Sequence, residues 1–542
     1  MLSTMQDGHL SIGTLLRYAS KVHSTSEIIT WTGSGSRRET FADVARNAAR
    51  LANALRGLGI TGDQRVGTFM WNNAEHMAAY CAVPAMGAVL HTLNIRLFPE
   101  QLTYVANHAE DQVILVDGTL VPLLAKVLPT MKTVRHIVVA NGDPAALDAP
   151  DGVEVHSYDE LLAAQPDTFD WPDVDERSAA AMCYTSGTTG DPKGVVYSHR
   201  SVWLHSMQVT MSDSINLAQS DTALVIVPMF HVMSWGLPYA ALMIGASLVM
   251  PDRFLQPEPI AQILAAEKPT YAAAVPTIWQ GLLRQLETHP QDISHLREVI
   301  VGGSAAPPSL MHTFEERHGV PILHAWGMTE TSPLGSVARP PKSATGEERW
   351  AYRYTQGRFP ASVNARLIGD NGEEVPWDNE SVGELEVQGP WIAASYFGGS
   401  AVDPEKFHDG WLRTGDIGKI SPDGYLTLTD RSKDVIKSGG EWISSVDLEN
   451  AVMAHPAVAE AAVIGVPDEK WDERPLVAVV VREGENVTAD QLREYLQDKV
   501  AKWQLPEHWT FIDEVPKTSV GKFDKKRLRA MNSEGKLDVR HF

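Results

Sequence analysis

The sequence predicts an α/β protein with two parts: a large N-terminal domain, made of α/β subdomains and a small β-barrel, and a small, mobile α+β domain at the C-terminus. Three observations lead to this prediction. The chain has 542 residues, several times the usual size of one domain. Strand-like and helical segments alternate through its first ~430 residues. The pattern changes near residue 361, and a dense polar cluster follows at 430–434.

The N-terminal part alternates between strands and amphipathic helices in the manner of a mainly parallel sheet. Its clearest helix is predicted at 40–57, where Thr40 can cap a run of apolar residues at helical spacing. The run Gly57-Leu-Gly-Ile-Thr-Gly62 spells G-x-G-x-x-G, but a dinucleotide fingerprint must follow a strand and open a helix, so we interpret it as a helix end and turn. The other elements predicted here are a helix at 74–85 and strands at 64–70, 88–90, 113–116 and 136–139.

Residues 361–428 are expected to form the small β-barrel or a similar antiparallel unit, because short strands alternate with turn sequences such as Asp370-Asn371-Gly372. The polar cluster that follows predicts a hinge at 431–434, which divides the chain into domains 1–430 and 431–542. The strands predicted in the antiparallel unit are 365–368, 383–388 and 425–428. In the second domain, helices are predicted at 445–454 and 488–503, and strands at 459–466, 475–481 and 511–515.

The composition limits the classes of function. A formal net charge of −22 repels phosphate backbones and anionic lipid, so we expect no nucleic-acid partner and no membrane-surface role. Two cysteines, Cys81 and Cys183, exclude a disulfide framework or a thiolate metal cluster and suit a reducing compartment. The N-terminal segment resembles no targeting signal, and prolines and glycines interrupt the uncharged stretch 222–251. We therefore predict a cytoplasmic protein without membrane insertion.

The run from Tyr184 to Gly194 (Tyr-Thr-Ser-Gly-Thr-Thr-Gly-Asp-Pro-Lys-Gly) is the most informative segment. Glycines let backbone amides converge on a phosphate, hydroxyls donate to its oxygens or hold Mg²⁺, and a lysine adds charge. The spacing is not that of the ordinary P-loop, and the alternative is a polar surface turn. The phosphate-binding candidates are Thr185, Ser186, Gly187, Thr188, Thr189, Gly190 and Lys193.

Together with further motifs, this run resembles the adenylate-forming superfamily of acyl-CoA synthetases, carrier-protein adenylation domains and firefly luciferase. The resemblance covers nearly the whole chain and is strongest to bacterial fatty-acyl-CoA synthetases and 3-methylmercaptopropionate-CoA ligases. The six further motifs, in the family's order, are Val227-Pro-Met-Phe-His-Val232, Val301-Gly-Gly-Ser-Ala-Ala-Pro307, Ala325-Trp-Gly-Met-Thr-Glu330, Arg413-Thr-Gly-Asp416, Asp430-Arg-Ser-Lys-Asp434 and Pro516-Lys-Thr-Ser-Val-Gly-Lys522.

The resemblance implies an ATP site. Glu330 and Thr185 would hold Mg²⁺, which prefers hard oxygen ligands. Trp326 would stack on adenine, and Asp416 with Arg431 would bind the ribose hydroxyls. Without the resemblance, a single glutamate is usually a solvated side chain, and Asp416 with Arg431 could equally form a surface ion pair. The other positions implied around the nucleotide are Ser304, Ala305, Ala306, His324, Gly327, Met328 and Thr329.

Lys522 is the catalytic lysine that the resemblance implies, bridging the substrate carboxylate and the α-phosphate where negative charge accumulates. Taken alone, its basic tail would be interpreted as a solvated C-terminus. Lys433 stands at the family's hinge position. Rotation about the hinge would then withdraw Lys522 and bring Gly440, Glu441 and Trp442 towards CoA, with Gly440 leaving room for a narrow pantetheine path.

The acyl site is expected at His231, Trp235, Gly302 and Gly303. No Asp or Glu lies between residues 221 and 252, so the ammonium of an amino-acid substrate would be buried without a counter-ion, and an apolar acid is favoured. If the segment is helical there, the four-residue spacing would place His231 and Trp235 on one side of it. As isolated residues, both would more often belong to the core.

The activity implied by the resemblance is conversion of a carboxylic acid, ATP and CoA, with Mg²⁺, into acyl-CoA, AMP and pyrophosphate through an acyl-adenylate. A medium- or long-chain fatty acid is the expected substrate, and 3-methylmercaptopropionate is the alternative. A carrier-protein ligase, a luciferase-like oxygenase and a non-catalytic nucleotide-binding protein stay open, although the last would be expected to lack Lys522 or Glu330. Dimeric members of the subgroup imply a homodimer.

Overall fold

The computed structural model describes residues 1, 3–185, 191–398, 403–438, 441–468, 470–518 and 522–542. Within these residues the strands form three sheets, of seven, 15 and six members. In chain order, the elements up to residue 163 are α1 (Ile12–Val22), β1 (Glu27–Trp31), β2 (Ser36–Thr40), α2 (Phe41–Gly57), β3 (Arg65–Phe69), α3 (Ala74–Ala85), β4 (Val89–Thr92), α4 (Pro99–Ala109), β5 (Asp111–Asp117), α5 (Val121–Ala125), β6 (His136–Ala140), β7 (Glu154–Ser157) and α6 (Tyr158–Ala163).

The next segment continues the alternation of strands and helices. Its elements are β8 (Ala179–Tyr184), β9 (Gly194–Ser198), α7 (His199–Thr210), β10 (Thr222–Val225), α8 (Leu237–Ile244), β11 (Ser247–Met250), α9 (Pro257–Glu267), β12 (Tyr271–Ala274), α10 (Pro276–Thr288), β13 (Glu298–Val301), α11 (Pro308–His318), β14 (Ile322–Gly327), β15 (Leu334–Val337) and α12 (Gly346–Tyr354).

The last third of the chain begins with strands and ends with the α+β domain. Its elements are β16 (Gly357–Arg358), β17 (Asn364–Ile368), β18 (Glu374–Val375), β19 (Gly383–Gln388), β20 (Phe407–His408), β21 (Trp411–Ile420), β22 (Tyr425–Arg431), β23 (Ile436–Ser438), β24 (Glu441–Ile443), α13 (Ser445–Met453), β25 (Val458–Asp468), β26 (Asp472–Val481), α14 (Ala489–Leu496), β27 (His508–Phe511), α15 (Lys525–Ser533) and β28 (Arg540–His541).

The local predictions for the N-terminal part are confirmed. Helix α2 starts behind Thr40, whose hydroxyl accepts from the Asp43 amide at 3.1 Å while the Asp43 carboxylate accepts from the Thr40 amide at 2.9 Å. This reciprocal capping box satisfies two amides that the first turn would otherwise leave unpaired. The helix ends at Gly57, so the G-x-G-x-x-G run is a helix end and turn, as interpreted.

Two sheets with mainly parallel cores organise the N-terminal part. The seven-stranded sheet runs β7-β6-β5-β3-β4-β8-β9 and is parallel except for the β8–β9 hairpin. The 15-stranded sheet contains a parallel section of β1, β11, β10, β12, β13 and β14. One buried cluster joins both sheets, since it includes Val66 of β3, Leu248 of β11 and the helical residues Leu51 and Tyr80. The strand ends at one edge of this core therefore occupy fixed positions.

The segment predicted as a small β-barrel is an antiparallel unit that continues the large sheet. Strand β14 pairs parallel with β13 on one side and antiparallel with β15 on the other. Through β16, β22, β21, β19 and β17 the strand order then reaches β18 along an open path among the described residues. A separate barrel was expected because the sequence pattern indicates where strands lie but does not show which strand edges pair.

The stretch 222–251 forms β10, α8 and β11 inside the protein, as expected from its interrupted apolar run. Among the described residues, every helix is too short or too polar to cross a bilayer.

Two predictions in the C-terminal part are wrong in extent. The helix expected at 488–503 ends at Leu496, where the spacing of its buried residues Ala489, Leu492 and Leu496 ends. The strand expected at 511–515 is β27, which ends at Phe511. Trp509, fully buried in this strand, pairs with Val477 of β26, and the polar pair Asp513-Glu514 follows outside the sheet.

A buried charge cluster fixes the C-terminal helices to the end of β22. The Asp430 carboxylate accepts from the Ser445 amide at 2.7 Å, at the start of α13. Glu449 of α13 lies 2.8 Å from the ammonium of Lys525, the first residue of α15, and both side chains are largely buried. Burial raises the pKa of Glu449, an effect that the Lys525 charge opposes. The packing of the small domain therefore depends on Lys525.

We expect Lys525→Met to destabilise the C-terminal domain by roughly 3–5 kcal/mol, because the variant leaves the Glu449 carboxylate buried without its counter-ion. Amide hydrogen exchange of β25 and β26 in the full-length protein measures this effect. The neighbouring exposed residue gives the control, Lys526→Met, which should change protection little. Equal protection in both variants would contradict the assignment of this ion pair.

Candidate active site

A cavity of about 890 Å³ opens where the ends of β8, β13 and β14 meet the antiparallel unit and the C-terminal tail. It brings together residues that are up to 344 positions apart in the sequence, from Thr185 to Arg529. The sequence-predicted residues that line it are Thr185, Lys193, His231, Trp235, Gly302, Gly303, Ser304, Ala305, His324, Trp326, Gly327, Met328, Thr329, Glu330, Asp416, Arg431, Lys433 and Lys522.

A few predicted site residues lie elsewhere. Ala306 belongs to the buried cluster that contains Trp279 and Phe314, and it is not among the residues that line the cavity. The segment from Ser186 to Gly190 (Ser186, Gly187, Thr188, Thr189 and Gly190) and Gly440 fall outside the described residues. The backbone of Glu441 and Trp442 forms β24, which pairs with β23 in the C-terminal sheet.

The ends of the glycine-rich run are held by the β8–β9 hairpin. The Thr185 amide donates to the Lys193 carbonyl at 2.9 Å, and the Lys193 amide donates to Oγ1 of Thr185 at 3.1 Å. Both residues line the cavity, one at each end of the run.

Trp326 and Asp416 form one buried unit. The indole Nε1 donates to Asp416 Oδ2 at 2.8 Å, and Arg431 Nε lies 3.3 Å from the other carboxylate oxygen. Asp416 and Arg431 are direct partners in the β21–β22 register, which explains why motifs 15 residues apart meet. A Cβ at Gly335 would come within 2.3 Å of two indole carbons, so the indole packs directly on backbone. The arrangement provides a fixed aromatic ring beside a carboxylate.

Glu330 is buried at the cavity and has a partner that the sequence did not indicate. The Tyr396 hydroxyl donates to Glu330 Oε1 at 2.5 Å. Burial raises the pKa of Tyr396, and the Glu330 charge adds to the effect, so the phenol stays neutral and donates. Tyr197 donates to the Thr329 carbonyl at 2.8 Å on the adjacent residue. Because these partners are 66 and 132 positions away in sequence, no local pattern could have identified them.

The donors around Glu330 fit a magnesium ion. One oxygen of its carboxylate is engaged by Tyr396, and the second oxygen and the Thr185 hydroxyl supply hard oxygen ligands in the same cavity. Mg²⁺ typically takes one or two protein carboxylates together with substrate phosphates. The residue types present therefore suit the metal that accompanies a nucleoside triphosphate.

Lys522 reaches into the cavity from the C-terminal tail. Its Cε lies 3.3 Å, and its Nζ 3.8 Å, from the position that a Cβ of Gly303 would occupy. Burial lowers the pKa of Lys522 to about 8, and the charge of Arg431 adds to this effect while Asp416 and Glu330 oppose it. The ammonium is therefore a cation that the site has partly desolvated before any ligand binds.

Trp235 lies across the neighbouring glycine. A Cβ at Gly302 would lie 3.0 Å from Trp235 Cη2, so the indole approaches the backbone closely at the end of β13. The backbone at Gly303 has φ +82°, a left-handed conformation that favours glycine. Gly302 and Gly303 thus separate Trp235 from Lys522 by little more than the main chain.

The prediction that His231 and Trp235 share a helical face is wrong. Residues from Val232 to Trp235 have φ between 45° and 55°, and Gly236 follows at 76°, so the segment is a left-handed turn. Such a conformation costs roughly 1–2 kcal/mol per residue, and the sequence pattern gave no sign of it. The Ser234 hydroxyl donates to the Val227 carbonyl at 2.7 Å and helps to hold the turn.

The acyl side of the cavity is apolar and contains a neutral histidine. Burial lowers the pKa of His231 to about 3, and the charges of Lys522 and Arg96 act in the same direction. Between residues 209 and 307, none of the described lining residues is an Asp or Glu. The apolar lining includes Val209, Ile215, Val232, Ile300 and Leu334.

Comparison with known proteins gives the family. The chain matches the family model of AMP-binding enzymes over residues 16–397 and that of the AMP-binding enzyme C-terminal domain over residues 447–522. It is 44% identical to the 3-methylmercaptopropionyl-CoA ligase of Ruegeria lacuscaerulensis, with 98% of each chain covered. It is 42% identical to the medium-chain-fatty-acid–CoA ligase of Ectopseudomonas oleovorans, with 98% of this chain and 97% of the relative covered.

A solved structure agrees with this result. The anthranilate CoA ligase AuaEII in complex with anthranoyl-AMP matches with a TM-score of 0.88 at 25% identity, over 99% of this chain and 100% of that chain. The protein belongs to the AMP-binding enzyme family. The predicted class, an acid–CoA ligase that uses ATP, Mg²⁺ and CoA, is confirmed by these relatives.

The depressed pKa of Lys522 predicts an alkaline limit to adenylation. The lysine is charged below pH about 8 and neutral above it, so kcat/KM for acyl-adenylate formation should fall as the pH rises through 8. Bound anionic nucleotide favours the charged form of Lys522, so the corresponding decrease in kcat should occur at higher pH. Pyrophosphate release between pH 6 and about 10 measures both profiles. Lys522→Arg stays charged over this range, so its kcat/KM should no longer fall above pH about 8. An unchanged decrease in this variant would show that Lys522 is not the group that titrates.

The contact between Gly302 and Trp235 predicts a selective effect on the acid. Gly302→Ala adds a methyl group that would displace the Trp235 indole, and such overpacking costs roughly 1–3 kcal/mol. We expect the KM for the acid to rise about fivefold or more, with the KM for ATP nearly unchanged. Steady-state kinetics with each substrate varied in turn measure both constants. Gly57→Ala, where nothing lies within 4 Å of the added Cβ, is the matched control; a comparable rise in both KM values would show general damage to the site.

Proposed function

We propose that the protein joins an aliphatic carboxylic acid to CoA in two half-reactions, and that the conformation seen here belongs to the first. The position of Lys522 carries this proposal. The residue belongs to the C-terminal part of the chain, yet it lies at the Gly302–Gly303 turn, in the cavity that also contains Trp326, Asp416 and Glu330. A cation is required there because a carboxylate and a phosphate, both negative, must approach each other.

The first half-reaction forms the acyl-adenylate. A carboxylate oxygen attacks the α-phosphorus of ATP in line, and the bond from that phosphorus to the pyrophosphate oxygen breaks. Lys522 stabilises the negative charge between carboxylate and α-phosphate, while Trp326 and Asp416 with Arg431 position the adenine and the ribose. His231, neutral at its pKa of about 3, contributes a hydrogen bond without adding charge. Glu330 and Thr185 would hold Mg²⁺, which when bound would supply positive charge beside the polyphosphate.

The second half-reaction transfers the acyl group to CoA after the C-terminal domain (residues 431–542) turns about Lys433 relative to domain 1–430. The thiol sulfur attacks the adenylate carbonyl carbon, and the bond to the AMP oxygen breaks. The backbone of Glu441 and Trp442 belongs to β24, which pairs with β23 in the C-terminal sheet, so a turn of that domain would move both residues together. Gly440 would clear the path of pantetheine.

The acid is proposed to be a medium- or long-chain fatty acid, with the short thioether acid 3-methylmercaptopropionate as the alternative. The apolar lining and the absence of an acidic side chain among the described residues 209–307 of the wall support an uncharged chain. The two relatives compared above carry one of these substrates each in their names. Gly302, Gly303 and His231 would hold the carboxyl end and Trp235 the start of the chain.

We further propose a cytoplasmic homodimer. Both cysteines are free and buried, which suits a reducing compartment. The dimer follows from the family resemblance alone, and light scattering of the purified protein tests it. A carrier protein as acyl acceptor remains the second interpretation of the acceptor site; substitution of a carrier for CoA in the assay distinguishes the two.

Lys522→Ala should separate the half-reactions. Adenylation should slow by a factor on the order of 10²–10³, the usual loss for one charge-stabilising donor. Thioester formation from supplied acyl-adenylate and CoA should remain nearly normal, because the lysine serves only the first step. Pyrophosphate release without CoA measures the first rate, and CoA-dependent AMP release measures the second. If both rates fall equally, the two-conformation mechanism is wrong. If the unaltered enzyme consumes neither acid nor CoA, the proposed ligase activity itself is wrong.

The apolar wall predicts a dependence on chain length. Each methylene that fits the cavity should raise kcat/KM by about fourfold, from roughly 0.8 kcal/mol of burial per group. Amino acids and dicarboxylates should be poor substrates. A series of acids assayed with the unaltered enzyme and with Trp235→Ala measures the profile, which the variant should change more than it changes the KM for ATP. Indifference to chain length in both proteins would show that Trp235 does not select the acid.

A further inference from the structure

Two histidines and a glutamate converge at the free edge of the seven-stranded sheet. His136 is the first residue of β6, and Glu154 is the first residue of β7, the edge strand; the two are direct partners in the parallel register. His156 follows Glu154 by two positions, so both side chains lie on the same face of β7. The register of these strands thus gathers three potential metal ligands on one face.

The distances within this cluster suit a single ion. His136 Nδ1 lies 3.2 Å from His156 Nε2 and 3.5 Å from Glu154 Oε2, and His156 Nε2 lies 3.7 Å from the same oxygen. In a tetrahedral site, ligand atoms with this mean separation of about 3.5 Å lie about 2.1 Å from the metal, which is within the range of zinc–imidazole and zinc–carboxylate bonds. The three atoms therefore form one face of a zinc-sized tetrahedron.

A simple hydrogen bond between the two rings would not require the glutamate. Its side chain is 70% exposed and nevertheless directs one oxygen to within 4 Å of both ring nitrogens.

We propose that His136, Glu154 and His156 bind Zn²⁺ or a similar transition-metal dication at this sheet edge. Two imidazoles and a carboxylate suit such ions, whereas Mg²⁺ and Ca²⁺ take oxygen ligands. The three protein ligands leave a fourth position for water. None of the three residues lines the active-site cavity, so the site is distinct from the magnesium position of the ligase reaction. A bound ion joins edge strand β7 to β6 and stabilises that edge.

The test is a Zn²⁺ titration of the full-length protein, without nucleotide, in competition with a chromophoric chelator. The unaltered protein should bind one equivalent more than the double variant His136→Ala/His156→Ala. Glu154→Gln should weaken binding of that equivalent by at least about tenfold, the lower end of what even indirect ligand partners contribute. Co²⁺ in place of Zn²⁺ should give the visible absorption of a four-coordinate ion in the unaltered protein and lose it in the double variant.

His541→Ala is the matched control. It breaks the contact of His508 Nδ1 with His541 Nδ1, a histidine pair 2.8 Å apart that has no third ligand among the described residues. This variant should keep the additional equivalent. If the double variant does not fold, Glu154→Gln still tests the proposal, because Glu154 is exposed and glutamine has nearly the same shape. Zn²⁺ binding of equal stoichiometry and affinity in the unaltered protein and in Glu154→Gln would overturn the proposal, as would equal binding of Mg²⁺ at the same site.

Discussion

The two glycines at the end of β13 control how closely the acyl wall and the tail lysine approach each other. A Cβ at Gly302 would meet Trp235, and one at Gly303 would meet Lys522 and Val275 within 3.3 Å. Because neither position has a side chain, only the main chain lies between two large side chains that come from distant parts of the sequence. The position of Trp235 on its left-handed turn depends on this space. The position of Lys522 in the C-terminal tail depends on it as well. The parallel sheet fixes it, since β13 pairs with β12 and β14 on both sides.

Burial explains the electrostatics of the cavity. The same desolvation lowers the pKa of Lys522 to about 8 and that of His231 to about 3. One group therefore keeps its charge near neutral pH while its neighbour loses it. The protein as a whole carries a net charge of −22, so an anionic nucleotide needs this local cation. Since the cation belongs to the C-terminal tail, any motion of that domain removes the charge from the site in the same step.

The motifs could be predicted from the sequence because each is continuous and placed by local structure. The cap of α2 at Thr40 depends on neighbouring residues, and the family resemblance brought Asp416 together with Arg431. The bonds from Tyr396 to Glu330 and from Tyr197 to Thr329 could not, because they cross 66 and 132 positions. The same applies to the ion pair of Lys525 with Glu449 and to the His136–His156 contact across two strands.

The sequence by itself determined the order of strands and helices, the family and the chemical types present at the site, since these depend on spacing along the chain. Only the tertiary structure decided which of those groups meet, that Ala306 supports the core and not the cavity wall, and that residues 232–235 turn left-handed. The physical reason is that the unfavourable left-handed backbone is retained only where surrounding contacts compensate for it. Those contacts, such as the bond from Ser234 to Val227 and the packing of Gly236 on His205, exist only once the chain has folded.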